Sequence, residues 1–341
     1  MPFSAARDLV AAKHNADNWH EGAGLYRIGL SWLPGQFTQF WQNGWVGGGA
    51  TAFAMAQEGD AVALARASRN LDFILTSGLS ERGLFKAIMG EDGVWRGDGC
   101  EGWDQPWSLV RRQGDTLFFA LRQLLLLRNR KQAVPPAWEE AVRRAAMALV
   151  AVWEEAGEFG FQLNYATGRV EIRGSTSGAL IPGALVLAAE YFDDKRFLDV
   201  AGAAAEHFRT HDLAWGVTSG GPGDAVQAPD GESVFGLIES FSLLHERTRD
   251  AAWLAAAVQA CHQAASWAIA YPYRFPAGST FAALGIDARG ALLANVQNKC
   301  GVPGICTLSG QGILRTFRAA GDPRLLDLLR DIAHALPQYV S

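Results

Sequence analysis

The sequence predicts an all-α protein in which helical hairpins build two layers, buried inner helices ringed by amphipathic outer ones. Two observations carry this. Long stretches rich in alanine and leucine alternate with loops rich in Gly, Pro and Asp, and strand-like alternation is scarce. Two kinds of helix also follow one another in a fixed order. A nearly all-apolar helix runs into a short polar turn and an amphipathic helix, and a long aromatic-rich loop leads to the next pair.

Five such pairs can be counted along the chain. The first joins "GGGATAFAMAQEG" to "DAVALARASRNLDFILTSG", ending at residue 78. The second spans 114–157, "GDTLFFALRQLLLLRNR" followed by "PAWEEAVRRAAMALVAVWEEAG". The third spans 177–211, the fourth 233–270 and the fifth 309–340. The turns inside them, "EGD", "FDDKR", "RTRD" and "AGDP", hold the expected breakers.

In the later helix of the second pair, Glu139, Glu140, Arg143, Arg144, Glu154 and Glu155 form a polar stripe opposite Val142, Ala145, Ala146, Leu149 and Trp153. That helix has one wet face. Its predecessor "LFFALRQLLLL" has almost none, so it must be covered all round. Residues 1–44 are left over as a leader, in which "SAARDLVAAKH" reads as an outer helix helping to close the ring. If it does not, the ring is incomplete or completed by a partner. One domain over 1–341 is expected.

This arrangement resembles the (α/α) toroid of the six-hairpin glycosidase type. The likeness covers most of residues 45–340 and rests on the alternation together with inner-helix starts such as "RRQGDTLFFAL" and "PDGESVFGLIESF". It implies a ring with its long loops at one end and a carbohydrate-processing site among them.

Composition excludes several classes. A net charge of -5 without a dense Lys/Arg block argues against a nucleic-acid partner. No apolar run reaches the roughly 18–20 residues of a membrane span. The start "MPFSAARDLVAAKH" lacks the pattern of a secretory signal, so a cytoplasmic location is expected. The four cysteines form no CxxC; Cys261 reads as a buried apolar side chain, and Cys300 and Cys306 have no histidine nearby. "GDGC" (Asp98, Cys100) is similar to a metal-binding pair of prenyl-transferring toroids but has no third ligand. No metal or cofactor is expected; the expected partner is a carbohydrate, and no oligomeric state is assigned.

Every long loop would gather at the end that presents the N-termini of the inner helices, where the helix dipole favours acids. Glycoside cleavage needs two carboxyls across the bond. The loop-end acids are Asp98, Glu101, Asp104 and Asp115 before the second inner helix and Asp224, Asp230 and Glu232 before the fourth; of these, Asp104 and Asp115 are the candidates on one side of the cleft, facing Glu232 or Asp230. Asp115 and Glu232 read equally well as first-turn acids, and Asp230 reads more readily as a turn residue in "APDGES". Glu239, inside the apolar "GLIESF", needs a partner, either as a general acid or paired with an arginine from a neighbouring inner helix.

Of 12 tryptophans, eight fall in the leader or loops and four (Trp138, Trp153, Trp253, Trp267) on outer helices. Trp103 and Trp107 are the candidates to lie beneath a sugar ring; packing under loops is the alternative. Arg111 and Arg112, read as preceding the second inner helix, are candidates to bind an anionic substituent such as a uronate. At least one of the two is expected to be a solvated loop charge. Asn298, with Asn295, Gln297 and Lys299, is a candidate for sugar hydroxyls, and Ser309 for the N-cap of the fifth inner helix.

The reading is a glycoside hydrolase of an oligosaccharide, with a uronate-containing substrate in view. Against it stand a non-catalytic carbohydrate-binding or incomplete toroid and a polysaccharide lyase built on Asn164, Tyr165 and Arg169. A sugar epimerase would want histidines at the mouth, which the sequence does not place there.

Overall fold

The computed structural model describes residues 1–28, 39–45, 48–98, 104–221, 228–297, 301–302, 308 and 310–340. The helices, in chain order, are α1 (Phe3–Lys13), α2 (Ala50–Glu58), α3 (Ala61–Thr76), α4 (Val110–Asn129), α5 (Pro136–Ala156), α6 (Ile181–Phe192), α7 (Lys195–His211), α8 (Ser233–Thr248), α9 (Ala251–Ala265), α10 (Thr280–Ala283), α11 (Gln311–Ala320) and α12 (Pro323–Ala335). All five expected hairpins are present. The inner helices α2, α4, α6, α8 and α11 pack in that order, each on the next. Outside them, α3 lies on α5, α5 on α7, and α9 on α12. The leader does supply a helix: α1 packs against the one-turn segment Leu336–Tyr339, so the two ends of the chain meet.

Burial follows the two helix types. In α6 every residue from Ile181 to Ala189 is buried, whereas α5 buries Val142, Ala145, Ala146 and Leu149 and leaves Glu140 and Arg144 outside. One continuous apolar cluster runs from Leu25 to Ile332 through both layers. The inner helices approach closely. A Cβ on Gly236 of α8 would stand 2.9 Å from the Cβ of Ala179, at the start of α6, so no larger residue fits unless the helices part.

The short inner-to-outer turns share one construction. Asp60, Asp194, Asp250 and Asp322 each accept a hydrogen bond from a backbone N–H in the first turn of α3, α7, α9 and α12. In three of them the preceding residue (Asp193, Arg249 or Gly321) is left-handed and ends the inner helix. Two residues thus stop one helix and start the next.

The opposite end carries two three-stranded antiparallel sheets, 39–42 with 88–90 and 95–96, and 107–109 with 162–164 and 170–172. No helix among the described residues is long and apolar enough to cross a membrane.

Two boundaries differ from the sequence reading. The second inner helix starts at Val110 rather than Gly114, so Arg111 and Arg112 lie in its first turn and not in a loop. Trp267 lies just past the end of α9 instead of on it.

Candidate active site

The N-terminal turns of α4 and α8 meet at the loop end of the ring, and each brings charge into it. Arg111 is held by its own backbone, whose N–H donates to Ser177 Oγ at 3.0 Å. Its guanidinium donates to Asp115 Oδ2 from Nε at 3.2 Å, to the Gly221 carbonyl from Nη1 at 3.2 Å, and to Glu232 Oε2 from the same nitrogen. Asp115 follows Arg111 by four residues, one helical turn, so the pair shares a face of α4. Glu232 comes from the cap position of α8. All three side chains are buried.

Asp115 also accepts the Trp45 backbone N–H at 3.0 Å. Burial pushes its carboxyl above the usual range, against the opposing pull of Arg111 and the Trp45 N–H. Trp45 is itself unusual. It is a non-glycine residue in the left-handed region (φ 50°), and its indole N–H is buried without a hydrogen-bond partner. The loop is pressed onto α4 at Gly44, where a Cβ would lie 2.7 Å from the Arg112 backbone.

A second ion pair flanks the first. Arg112 donates from Nε to Asp98 Oδ2, and from Nη1 to Gln42 Oε1 at 3.0 Å and to the Asn43 carbonyl at 3.2 Å. Its guanidinium stands 5.5 Å from the centre of the Trp45 ring. Both arginines are therefore buried and paired with acids, in place of the solvated charge expected for at least one of them.

Asp230 is buried too, but its oxygens are engaged. They accept from the N–H groups of Gly221, Glu232 and Ser233 (2.8, 3.0 and 2.6 Å) and from Ser233 Oγ at 3.0 Å. It fixes the turn from which Glu232 projects. Asp104 lies in an exposed turn and Trp107 is half-buried on a strand, paired with Asn164. Trp103 and Asn298 lie outside the described residues, as do Glu101, Cys100, Asp224, Lys299, Cys300, Cys306 and Ser309. Asn295 is buried and Gln297 exposed.

The structure thus brings together Arg111, Asp115 and Glu232, with Asp230 behind Glu232 and Arg112–Asp98 beside them. It does not bring Asp104 into that cluster. The sequence offers Asp98 among the loop-end acids and Trp45 among the leader and loop tryptophans, but no spacing rule marks the meeting of Asp98 with Arg112 or of Trp45 with Asp115, because both depend on loop paths. Glu239 is paired as one of its two readings expected: Oε1 accepts from Gly312 N–H at 2.8 Å and Oε2 from Arg315 of α11 at 3.2 Å.

The residues proposed for a lyase are engaged locally. Arg169 pairs with Glu171 at 2.7 Å on the surface, and Asn164 closes its own turn on the N–H groups of Ala166 and Thr167. None of the seven histidines contacts the Arg111 cluster.

No family model matches the chain, and no curated protein matches it. Solved structures do. A GH76 α-mannanase of Bacteroides thetaiotaomicron superposes with a TM-score of 0.61 at 12% identity, over 98% of this chain and 83% of that one. A cellobiose 2-epimerase from Bacillus thermoamylovorans gives 0.63 at 9%, over 99% and 87%. An unsaturated glucuronyl hydrolase specific for heparin gives 0.61 at 12%, over 98% and 83%. The fold is the (α/α) toroid of the six-hairpin glycosidase type.

Proposed function

We propose that the protein is a carbohydrate-active enzyme, a glycoside hydrolase acting on an oligosaccharide, with Asp115 and Glu232 as its carboxyl pair. The observation that carries this is the convergence of those two acids, from the N-terminal turns of two inner helices, on the single buried guanidinium of Arg111 at the loop end. Holding two carboxylates in a buried place is costly unless they have work there. The likeness in fold to a mannanase and a glucuronyl hydrolase agrees with it.

In this reading Asp115 is the acid. Burial keeps its proton on to higher pH, and the proton passes to the leaving glycosidic oxygen as the bond to the anomeric carbon breaks. Glu232 either takes a proton from the attacking water or bonds the anomeric carbon itself. Arg111 holds both in register, with Asp230 fixing the Glu232 turn. The Trp45 indole N–H, buried without a partner among the described residues, is a proposed donor to a sugar hydroxyl. Trp103 and Trp107 remain the proposed platforms, Asn298 a proposed hydroxyl ligand, and Asp104 a proposed acid of the rim.

A neutral sugar suits this site better than a uronate. The Arg111 guanidinium is shared between the Asp115 and Glu232 carboxyls, and Arg112 is paired with Asp98, so both arginines are already engaged by the chain's own acids. The absence of histidine from the cluster favours hydrolysis over epimerisation.

Proton NMR of the protein with neutral and uronate-containing oligosaccharides tests this, beside Asp115→Asn and Glu232→Gln. Cleavage products that vanish, or fall by about 10²–10⁴-fold, in folded variants support it. A vinylic signal would make the protein a lyase, and a 2-epimer an epimerase. Line broadening without turnover would make it a binding protein.

A further inference from the structure

About 10 Å along α4 from Asp115, seven residues on, a second arginine enters the ring. Arg122 lies with its guanidinium carbon 4.5 Å from the centre of the Phe53 ring and 5.6 Å from that of Phe118. Its Nη2 donates to the side-chain oxygen of Gln311, at the start of α11. Its Nη1 is buried and has no hydrogen-bond partner. No carboxylate among the described residues stands within ion-pair distance of it. Glu239, the acid nearest in effect, is already engaged by Arg315 and Gly312.

A half-buried cation with a buried idle donor and no direct ion pair among the described residues is costly to keep. Burial pulls the Arg122 pKa down, the charge of Glu239 opposes that, and the like charge of Arg315 adds to it. Both arginines line a cavity of about 300 Å³. The rest of its wall is mostly apolar, with Phe53, Phe118, Leu187 and Leu243 contributed by four different inner helices. A second cavity of about 520 Å³ shares Gln311 and Arg315 with the first. Its wall adds Arg249, Arg318 and His245 against the single acid Glu246, at the short-turn end of α8 and α11. Such a vestibule draws anions inward.

We propose that the short-turn half of the ring is a second binding site, for a small organic anion. Its carboxylate or phosphate head pairs with Arg122 beside Arg315, and its apolar body lies against Phe53, Phe118, Leu187 and Leu243. The anion supplies the direct counter-ion that no described residue gives Arg122. This site is independent of the chemistry at the loop end.

Thermal melts of the full chain test it with 3-phenylpropionate as probe, and with 3-phenylpropionamide and inorganic phosphate as comparisons. The carboxylate is expected to raise Tm saturably, by about 3 °C at a hundredfold excess over Kd, and the amide to leave it unchanged. Arg122→Gln should abolish the shift without lowering the Tm of the free protein. Leu187→Phe, which fills the cavity and keeps the arginine, should abolish it too. No shift with the carboxylate, or the same shift in Arg122→Gln, would overturn the proposal. An equal shift from inorganic phosphate would overturn the apolar half of it.

Discussion

Two arginines of one helix sit inside the same ring under opposite electrostatic regimes. Arg111, in the first turn of α4, is shared by two buried carboxylates and a carbonyl. Arg122, in its middle, has an amide and two aromatic rings and, among the described residues, no acid within ion-pair distance. The first region is over-supplied with negative charge and the second under-supplied. In a ring of helices the inner wall is apolar by construction, so any charge on it must find its opposite inside. Where the chain provides more than one partner, a reaction can use the surplus. Where it provides none, a ligand can.

The largest test of that contrast removes each arginine in turn. Arg111→Met leaves two buried acids facing one another and should cost about 3–5 kcal/mol in urea unfolding. Arg122→Gln removes a cation with no direct ion pair among the described residues and should cost nothing or stabilise. Equal losses at both positions would erase the distinction.

Packing is next. Gly236→Ala places a methyl where the Ala179 Cβ is 2.9 Å away and should cost about 1–3 kcal/mol. A neutral result would mean that the inner helices can part.

The pH dependence sharpens the loop end. The Asp115 carboxyl titrates above its unfolded value in the folded protein. Its contribution to stability is therefore complete below the unfolded value near pH 4 and is lost as pH rises through the folded one. The stability of the wild type relative to Asp115→Asn should fall over that window, by at most about 1.4 kcal/mol per pH unit. A difference that rises with pH would reverse the assigned direction.

The smallest effect belongs to the turn end, where Asp250→Ala removes the cap of α9 and should cost about 1 kcal/mol. A loss as large as that of Arg111→Met would show that the turns, and not the buried charges, dominate.

The hairpins were legible because each helix type writes its burial into its period: α6 has no wet face and α5 has one. The turns were legible because an N-cap needs a short acceptor, and Asp60, Asp194, Asp250 and Asp322 sit where the pattern restarts. Asp115 and Glu232 could be named as candidates because helix N-termini favour acids, but their meeting on Arg111 could not. That depends on how α4 and α8 pack on either side of α6, against whose start Gly236 of α8 closes. Arg111 and Arg112 were placed in a loop since two adjacent charges before an apolar run ordinarily mark solvent. Here paired acids let the helix begin four residues earlier, inside the wall. Asp104, set among tryptophans in "GWDQPW", ended in an exposed turn, while Asp98 between two glycines met Arg112.

The two-residue turns bear on how such a protein can change over generations. Each residue of an α-helix advances it by about 100°. One insertion between Arg249 and the Asp250 cap would rotate α9 relative to α8 and roll its apolar stripe toward water. Lengthening is tolerated far better in the loops at the other end, where no helix phase is at stake. One rim of the ring is thereby held nearly constant in length, and novelty in what the protein acts on is channelled to the opposite rim.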